Sequence, residues 1–470
     1  MRFKRTVATA LAAAAATAGS AAAVGLPATA AHAAGTATSV TLPFPSFSHM
    51  VLDPAHQHIF ISSAASNEIL VTDYSGNAVA TIANEPGADG LALSSDGSTV
   101  YAALSTGDAI SAISTSTLAE TTRYATGTGT DPSSVAYTSG KIWFGYGAYG
   151  TFGYGVGSVD PSTSPATVNL DATNDGPFTW YTAPLLAASP NGELVVGETN
   201  SDPFQLASYN VSSGTATVLT PPTLLDAPTY SAPFSNLHSL QITPDGADVV
   251  VASGDPYYQV IFQVSNLAEV GEYPTAAYPD AVSIASDGTV AAGAANVLNP
   301  GVYLFAPGGS TPLATYSFGT SADTELVDDD GVAITPDARE LFVVADNSNG
   351  NNPTLNIITD PVQGPSTLTV TGPTTDYRDR PITLTGTLGG AAPYAGGQTL
   401  QVTRIDPAHP NGVALPDVTT AANGSFTITD TPPRAHVERA TVTYKVSYAG
   451  DGHLTASSAS VSVTVHYNNS

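Results

Sequence analysis

One short pattern recurs along the chain about every 40 to 50 residues: "GLALSSDGSTVYAALS" at 90–105, "SLQITPDGADVVVASG" at 239–254, "AVSIASDGTVAAGAAN" at 281–296 and "GVAITPDARELFVVAD" at 331–346. Each copy is two apolar runs separated by a turn. The turn dipeptides fall at Asp96-Gly97, Ser139-Gly140, Asn191-Gly192, Asp245-Gly246, Asp287-Gly288 and Asp337-Ala338, with Ala55-His56 as a degenerate first copy. Asp-Gly and Asn-Gly suit tight turns because those positions need positive φ. Self-similarity at this period restricts the chain to a solenoid or a propeller.

Each copy continues into further strand-like segments, such as "AISAIS" and "AETTRYAT" after the second turn, so the unit is about four antiparallel strands. Gly, Pro, Ser and Thr interrupt the chain every few residues, and helical periodicity is hard to find. The predicted fold class is all-β: a seven-bladed β-propeller, whose radial repetition leaves few open edges. The last copy runs "VAITP", "ELFVVAD", "TLNIIT" and lacks an outer strand, while "SVTLPF" at 39–44 precedes the first copy without a partner. Pairing these two ends would lock the ring.

The string "AITPDARELFVVAD" resembles the repeat of YVTN-type propellers over residues 36 to about 363. That resemblance implies the fold; propellers of this type include surface proteins, lactonases and quinoprotein subunits. It also implies that a lactonase would combine His, Glu and Arg in the channel. Here the propeller holds only Arg123 and Arg339, a departure that counts against lactonase activity.

After "GPS" the pattern changes to longer alternating strands, from "TLTVTG" and "PITLTGTL" to "ATVTYKVSY" and "ASVSVTVHY". Seven such strands in about 100 residues predict a β-sandwich. In "VTYKVSY", Val442, Tyr444, Val446 and Tyr448 should share one face. The closing "YAGDGHLTAS" resembles bacterial Ig-like repeats, which implies a spacing or adhesive role. The expected domains are 1–33 as a signal peptide, 34–363 as the propeller and 364–470 as the Ig-like sandwich.

Arg2, Lys4 and Arg5 precede an alanine-rich run that ends at Ala31-His32-Ala33, the pattern of a secretory signal. No later stretch is apolar enough to insert into a membrane, and "HYNNS" carries neither a hydrophobic tail nor a sorting signal. The mature chain is therefore expected outside the cell, free or associated with the cell wall. It has no cysteine, so burial alone must stabilise it.

Charge separates the two regions. Residues 34–363 hold 32 of the 39 acids against Arg123, Lys141 and Arg339, whereas 364–470 hold 7 acids and 6 bases. A surface this negative repels phosphate backbones and anionic headgroups, which excludes nucleic acid as a partner. Cations, basic proteins and neutral sugars stay open; charge also serves solubility alone.

In a propeller the innermost strand of each blade starts at one mouth of a central channel. Residues six to eight positions before each turn should then converge: His49, Asp89, Asp131, His238, Asp280 and Asp330. Such a ring would hold Ca²⁺, a hard cation that takes 6 to 8 oxygens, or attract a cationic ligand. Alternatively, Asp at these points accepts hydrogen bonds from turn N–H groups. "ELVDDDG", with Glu325 and Asp328 to Asp330, adds charge at that mouth, as three acids expected on a solvated loop. His56 and His58, two apart in the degenerate turn, would suit a transition metal on a strand but are expected to face solvent.

The third copy is rich in aromatics: "KIWFGYGAYGTFGYGVG" holds Trp143, Phe144, Tyr146, Tyr149, Phe152 and Tyr154, and "PFTWY" adds Phe178, Trp180 and Tyr181. Trp143, Tyr146 and Trp180 are candidates for stacking on a sugar or partner, against the alternative that they fill the space between blades. No G-x-S-x-G, H-E-x-x-H or phosphate-binding loop is present, and carboxylate pairs for glycoside hydrolysis are too many to choose among. The expectation is a secreted recognition or scaffold protein that binds an extracellular protein, a polysaccharide or a cation through the propeller face. The alternative is a hydrolase or lactonase at the channel mouth.

Overall fold

The computed structural model describes residues 37–147, 153–176, 179–226, 234–296, 301–320, 323–347, 353–433 and 437–467. The expected signal segment lies outside them, as do Tyr149, Phe152 and Phe178. No helix of the described residues is long and apolar enough to cross a membrane.

Six four-stranded antiparallel sheets follow one another along 49–83, 88–125, 134–169, 185–224, 235–273 and 279–316. The seventh combines Asp323–Ile334, Glu340–Asn347 and Thr354–Thr359 with Ala37–Thr41 as its outermost strand, plus a short inner strand, Phe318–Thr320. Innermost strands of consecutive sheets touch in chain order, and Asp323–Ile334 returns to touch His49–Asp53. The sheets therefore form a closed ring, a β-propeller, and are numbered here as blades 1 to 7.

Closure follows the expected pairing. Ala37–Thr41 runs antiparallel to Thr354–Thr359, with Thr38 opposite Ile357 and Val40 opposite Leu355. Leu42 and Phe44, which follow, are buried with Phe342, Leu355 and Ile357. Large apolar side chains fill the spaces between other blades in the same way, as Phe60 does against Leu91 and Val100.

The repeated turns have a common mechanism. Gly97, Gly192, Gly246 and Gly288 take φ of 71°, 94°, 78° and 86°, and Ala338 takes 56°. In four of these turns the preceding Asp is the cap: Asp96 accepts from Ser98 N–H, Asp245 from Ala247 N–H, Asp287 from Thr289 N–H and Asp337 from Arg339 N–H. The first copy departs from this. There Gln57 holds the positive φ, and Asp53, buried at the strand end, accepts from the N–H groups of Ala55 and His56. His56 Nδ1 lies 2.7 Å from Asp53 Oδ2, and the His56 and His58 rings stack at 5.9 Å, nearly parallel.

An innermost strand has one unpaired edge, which would leave N–H groups orphaned. Here the neighbouring blade supplies side-chain acceptors: Ser134 Oγ for Leu186 N–H, Ser239 Oγ for Val282 N–H, Gln241 Oε1 for Ile284 N–H and Ser283 Oγ for Ile334 N–H. Ser283→Ala should therefore destabilise the fold by about 1–2 kcal/mol, measured by urea unfolding, because it strips the acceptor from a buried amide.

Beyond the ring, two sheets pack face to face. One orders Thr367–Thr371, Ile382–Gly389 and Ser425–Asp430; the other orders Thr375–Tyr377, Ser457–His466, Arg439–Tyr448, Thr399–Asp406 and His409–Thr419. Their shared core contains Leu384, Phe426, Val402, Val463 and the four alternating residues Val442, Tyr444, Val446 and Tyr448. Thr375–Tyr377, parallel to Ser457–His466, is the strand its sequence did not signal. His453 bonds to Asp287 (3.0 Å), and Tyr394 OH to Thr289 (2.8 Å), so these sheets meet blade 6 at its turn end.

Candidate functional site

The channel bounded by the seven innermost strands encloses about 520 Å³ and is lined from His49 to Pro54 in blade 1 and from Asp330 to Pro336 in blade 7. Prolines 54, 190, 244 and 336 mark the turn end. His49, Asp89, His238, Asp280 and Asp330 belong to the opposite end, where the innermost strands begin.

The acids at this mouth raise one another's pKa. Asp280 is 2% exposed, and among the described residues neither of its carboxyl oxygens has a hydrogen-bond partner. Burial raises its pKa well above the carboxylate range, reinforced by Asp329, Asp328 and Asp330. Asp330 is pushed up to about 7 by burial, with Asp329 and Asp89 raising it further and Ser239 and His238 opposing. Asp89 rises to about 6 through burial. His238 is half-buried and pairs with Asp329 at 3.0 Å; burial favours its neutral form, yet Asp329 and Asp330 raise its pKa overall. His49 is held neutral, down to about 4, by burial, and its Nδ1 accepts the Leu91 N–H at 3.3 Å.

The structure revises two parts of the expected acid array. Asp131 does not join the cluster: at φ 42°, its N–H donates to Asp108, and burial and Asp108 raise its pKa. "ELVDDDG" is not a free loop but a bulge inside Asp323–Ile334, between Val327 and Val332. Asp329 points to solvent, whereas Asp328 and Asp330 are partly buried. Gly331 completes the bulge, since a Cβ there would lie 2.7 Å from the carbonyl oxygens of Asp328 and Val344.

That bulge builds a pair the sequence reasoning missed. Burial and the neighbouring Asp346 raise Asp328 to about 8, and burial raises Asp346 to about 6. The missed signal was directional. A second strand runs antiparallel to the first, so its final residues return to the mouth, as Asp346 and Asp255 do. Among the described residues no three His, Asp or Glu groups are already gathered to hold a metal ion.

The aromatic expectation is corrected by packing. Trp143 and Trp180 are 1% and 2% exposed and lie with Val156, Leu194 and Tyr209 between blades 3 and 4. Asp175 Oδ2 accepts from Trp180 Nε1 (3.3 Å), Tyr209 OH (2.7 Å) and Thr173 Oγ1 (2.7 Å). Tyr146 packs against Phe144. Neither tryptophan offers a ring face to a ligand. The exposed aromatics near the mouth are instead Tyr181, Tyr257 and Tyr278. Tyr257 follows the second strand of blade 5, Tyr278 precedes Pro279–Ile284, and their rings meet edge to face at 5.4 Å.

Arginine is absent from this mouth among the described residues. Arg123 binds Glu120 and Asn84 O at the outer side of blade 2, and Arg339 pairs with Asp360.

No family model and no curated protein matches the chain. Among solved structures it is similar to Kuenenia stuttgartiensis hydrazine synthase, at 14% identity over 68% of this chain and 97% of that chain, TM-score 0.47. It is also similar to the β-propeller domain of Myceliophteria thermophila Cps50 (Swd1), at 10% identity over 68% and 98%, TM-score 0.47. A third is a gluconolactonase-like protein, at 11% identity over 69% and 92%, TM-score 0.42. None of these likenesses bears on activity; the propeller assignment rests on the seven sheets and their cyclic packing.

Proposed function

We propose that this is an exported recognition protein: a YVTN-type seven-bladed propeller that binds a cation or a cationic group of an extracellular protein or polysaccharide, followed by an Ig-like sandwich spanning 364–470 that spaces or tethers it. The buried, unpartnered carboxyl of Asp280 among Asp328, Asp329 and Asp330 carries this reading. Burying such a group costs stability unless something pairs with it, and a cation does so. Ca²⁺ is the hard cation these oxygens would suit, and it would have to draw them together on binding. The surrounding negative charge raises local cation concentration and repels anions.

The Asp328–Asp346 pair favours a second reading, hydrolysis of a lactone or glycoside at the mouth, because a carboxyl near 8 beside one near 6 resembles an acid and base in waiting.

Calorimetric titration with Ca²⁺ and with a polylysine chain should show binding that weakens at least about tenfold in the triple variant Asp89→Ala, Asp280→Ala, Asp330→Ala, a loss of about 1.4 kcal/mol or more. A control variant carrying Glu272→Gln, Asp379→Asn and Asp417→Asn at exposed positions should bind as the native protein does. Equal weakening in both would reduce the effect to bulk charge and sink the reading. Turnover on lactone or glycoside panels, lost in the triple variant, would transfer the assignment to the hydrolase.

A further inference from the structure

We propose that the mouth receives one basic side chain, the ammonium of lysine or the guanidinium of arginine, presented by a protein partner and held between the buried Asp280 and the exposed Tyr257–Tyr278 pair. This rests on the reading of the mouth as a cation-binding site and names its ligand class.

Three observations favour this ligand over a bare metal ion. Asp328, Asp329 and Asp330 are close enough to disfavour the Asp280 anion, but among the described residues no three His, Asp or Glu groups are gathered for metal ligation. Ca²⁺ needs oxygens at about 2.3–2.6 Å from one point, whereas N–H donors reach separate carboxylates at about 2.7–2.9 Å each. A flat guanidinium with five donors, or an ammonium with three, spans a dispersed set of acceptors without drawing them together.

Second, Tyr278 stands two residues before Asp280, outside the strand that Asp280 occupies, at φ 64°. It is 50% exposed and meets the equally exposed Tyr257 edge to face. An aromatic face beside a carboxylate is the usual partner set for a basic side chain. Third, Tyr181, Tyr257 and Tyr278 give the rim the residue type that anchors protein interfaces, which favours a protein over an amino-sugar polymer.

Binding is coupled to protons. Asp328, Asp329 and Asp330 of blade 7 act electrostatically on Asp280. His238 of blade 5 and Asp89 of blade 2 act on Asp330, and Asp346 on Asp328. Burial holds several of these carboxyls protonated near neutrality, so an arriving cation favours their ionised forms and expels protons.

The test uses three five-residue peptides, capped at both ends, with a central Lys, Arg or norleucine between glycines, titrated calorimetrically at pH 7 in two buffers of different ionisation enthalpy. The Lys or Arg peptide should bind at least about tenfold tighter than the norleucine peptide, with a buffer-dependent heat reporting proton release. Asp280→Asn should abolish that preference, and Tyr278→Ala should reduce it about three- to tenfold while circular dichroism stays native. Binding of Ca²⁺ at the mouth with no preference for the basic peptides would overturn this inference and leave the proposed function standing. Loss of both would defeat both. A β-1,4-glucosamine tetramer that binds tighter than either peptide would overturn the protein partner.

Discussion

Trp180→Ala lowers the free energy of unfolding by about 3–5 kcal/mol, the range for emptying an aromatic site in a packed core, and leaves cation binding at the mouth unchanged. The indole is buried between blades 3 and 4, and its Nε1 is one of three donors to Asp175. Trp143→Ala should cost a similar amount. Because Trp143 Nε1 makes no hydrogen bond among the described residues, Trp143→Phe should restore much of the loss. Trp180→Phe should restore less, since Asp175 still lacks a donor. Tyr181→Ala, at a position 71% exposed, should change stability by less than about 0.5 kcal/mol. Chemical unfolding followed by circular dichroism separates these outcomes. A Trp180→Ala protein as stable as the native chain would show that the indole does not fill this core.

Asp280→Asn acts in the opposite direction and stabilises the ligand-free protein, with an effect that grows with pH. In the native state Asp280 keeps its proton because burial and three neighbouring acids disfavour the anion, while the unfolded chain releases it near pH 4. Stability from a raised carboxyl is fully present below the unfolded pKa and is lost as pH rises through the folded one. Asparagine has no proton to lose. At pH 8 the substitution should gain about 1–3 kcal/mol, or about 2–5 °C in Tm, and at pH 4 little.

Asp89 and Asp346 near 6, Asp330 near 7 and Asp328 near 8 have the same sign, so the native protein itself should lose stability between about pH 4 and 8. His49 opposes this only at the acid end: its pKa is lowered to about 4, so its contribution is present above pH 6.5 and lost as pH falls through 4. Thermal scans at pH 5, 6, 7 and 8 check this. A Tm that is flat or rises across that range in ligand-free protein would contradict the buried-acid mouth.

Both predictions depend on side-chain placement that composition does not encode. Trp143 and Trp180 stand among glycines and tyrosines, which suits an exposed stacking patch and a gap between blades equally well. Their burial is decided by blades 3 and 4 closing over them. Asp131 lies eight residues before its turn dipeptide, one more than Asp89 and Asp280 do, and its N–H and carboxyl meet Asp108 instead.

What the sequence determined by itself is periodic and local. Turn chemistry at Asp96-Gly97, Asp245-Gly246 and Asp287-Gly288, with short apolar runs on both sides, specified hairpins. Their repetition specified a ring, and the unpaired "SVTLPF" specified how it closes, because each of these depends on residues a few positions apart or on one missing strand. What only the tertiary structure decided is which distant groups share an environment. Asp328 finds Asp346 because a bulge before Gly331 turns the chain. Asp280 loses water because the blades close around it, and the charges of Asp328, Asp329 and Asp330 in blade 7 further disfavour its anion. Titration and binding depend on distance and dielectric across the ring, and neither is written in the order of residues along the chain.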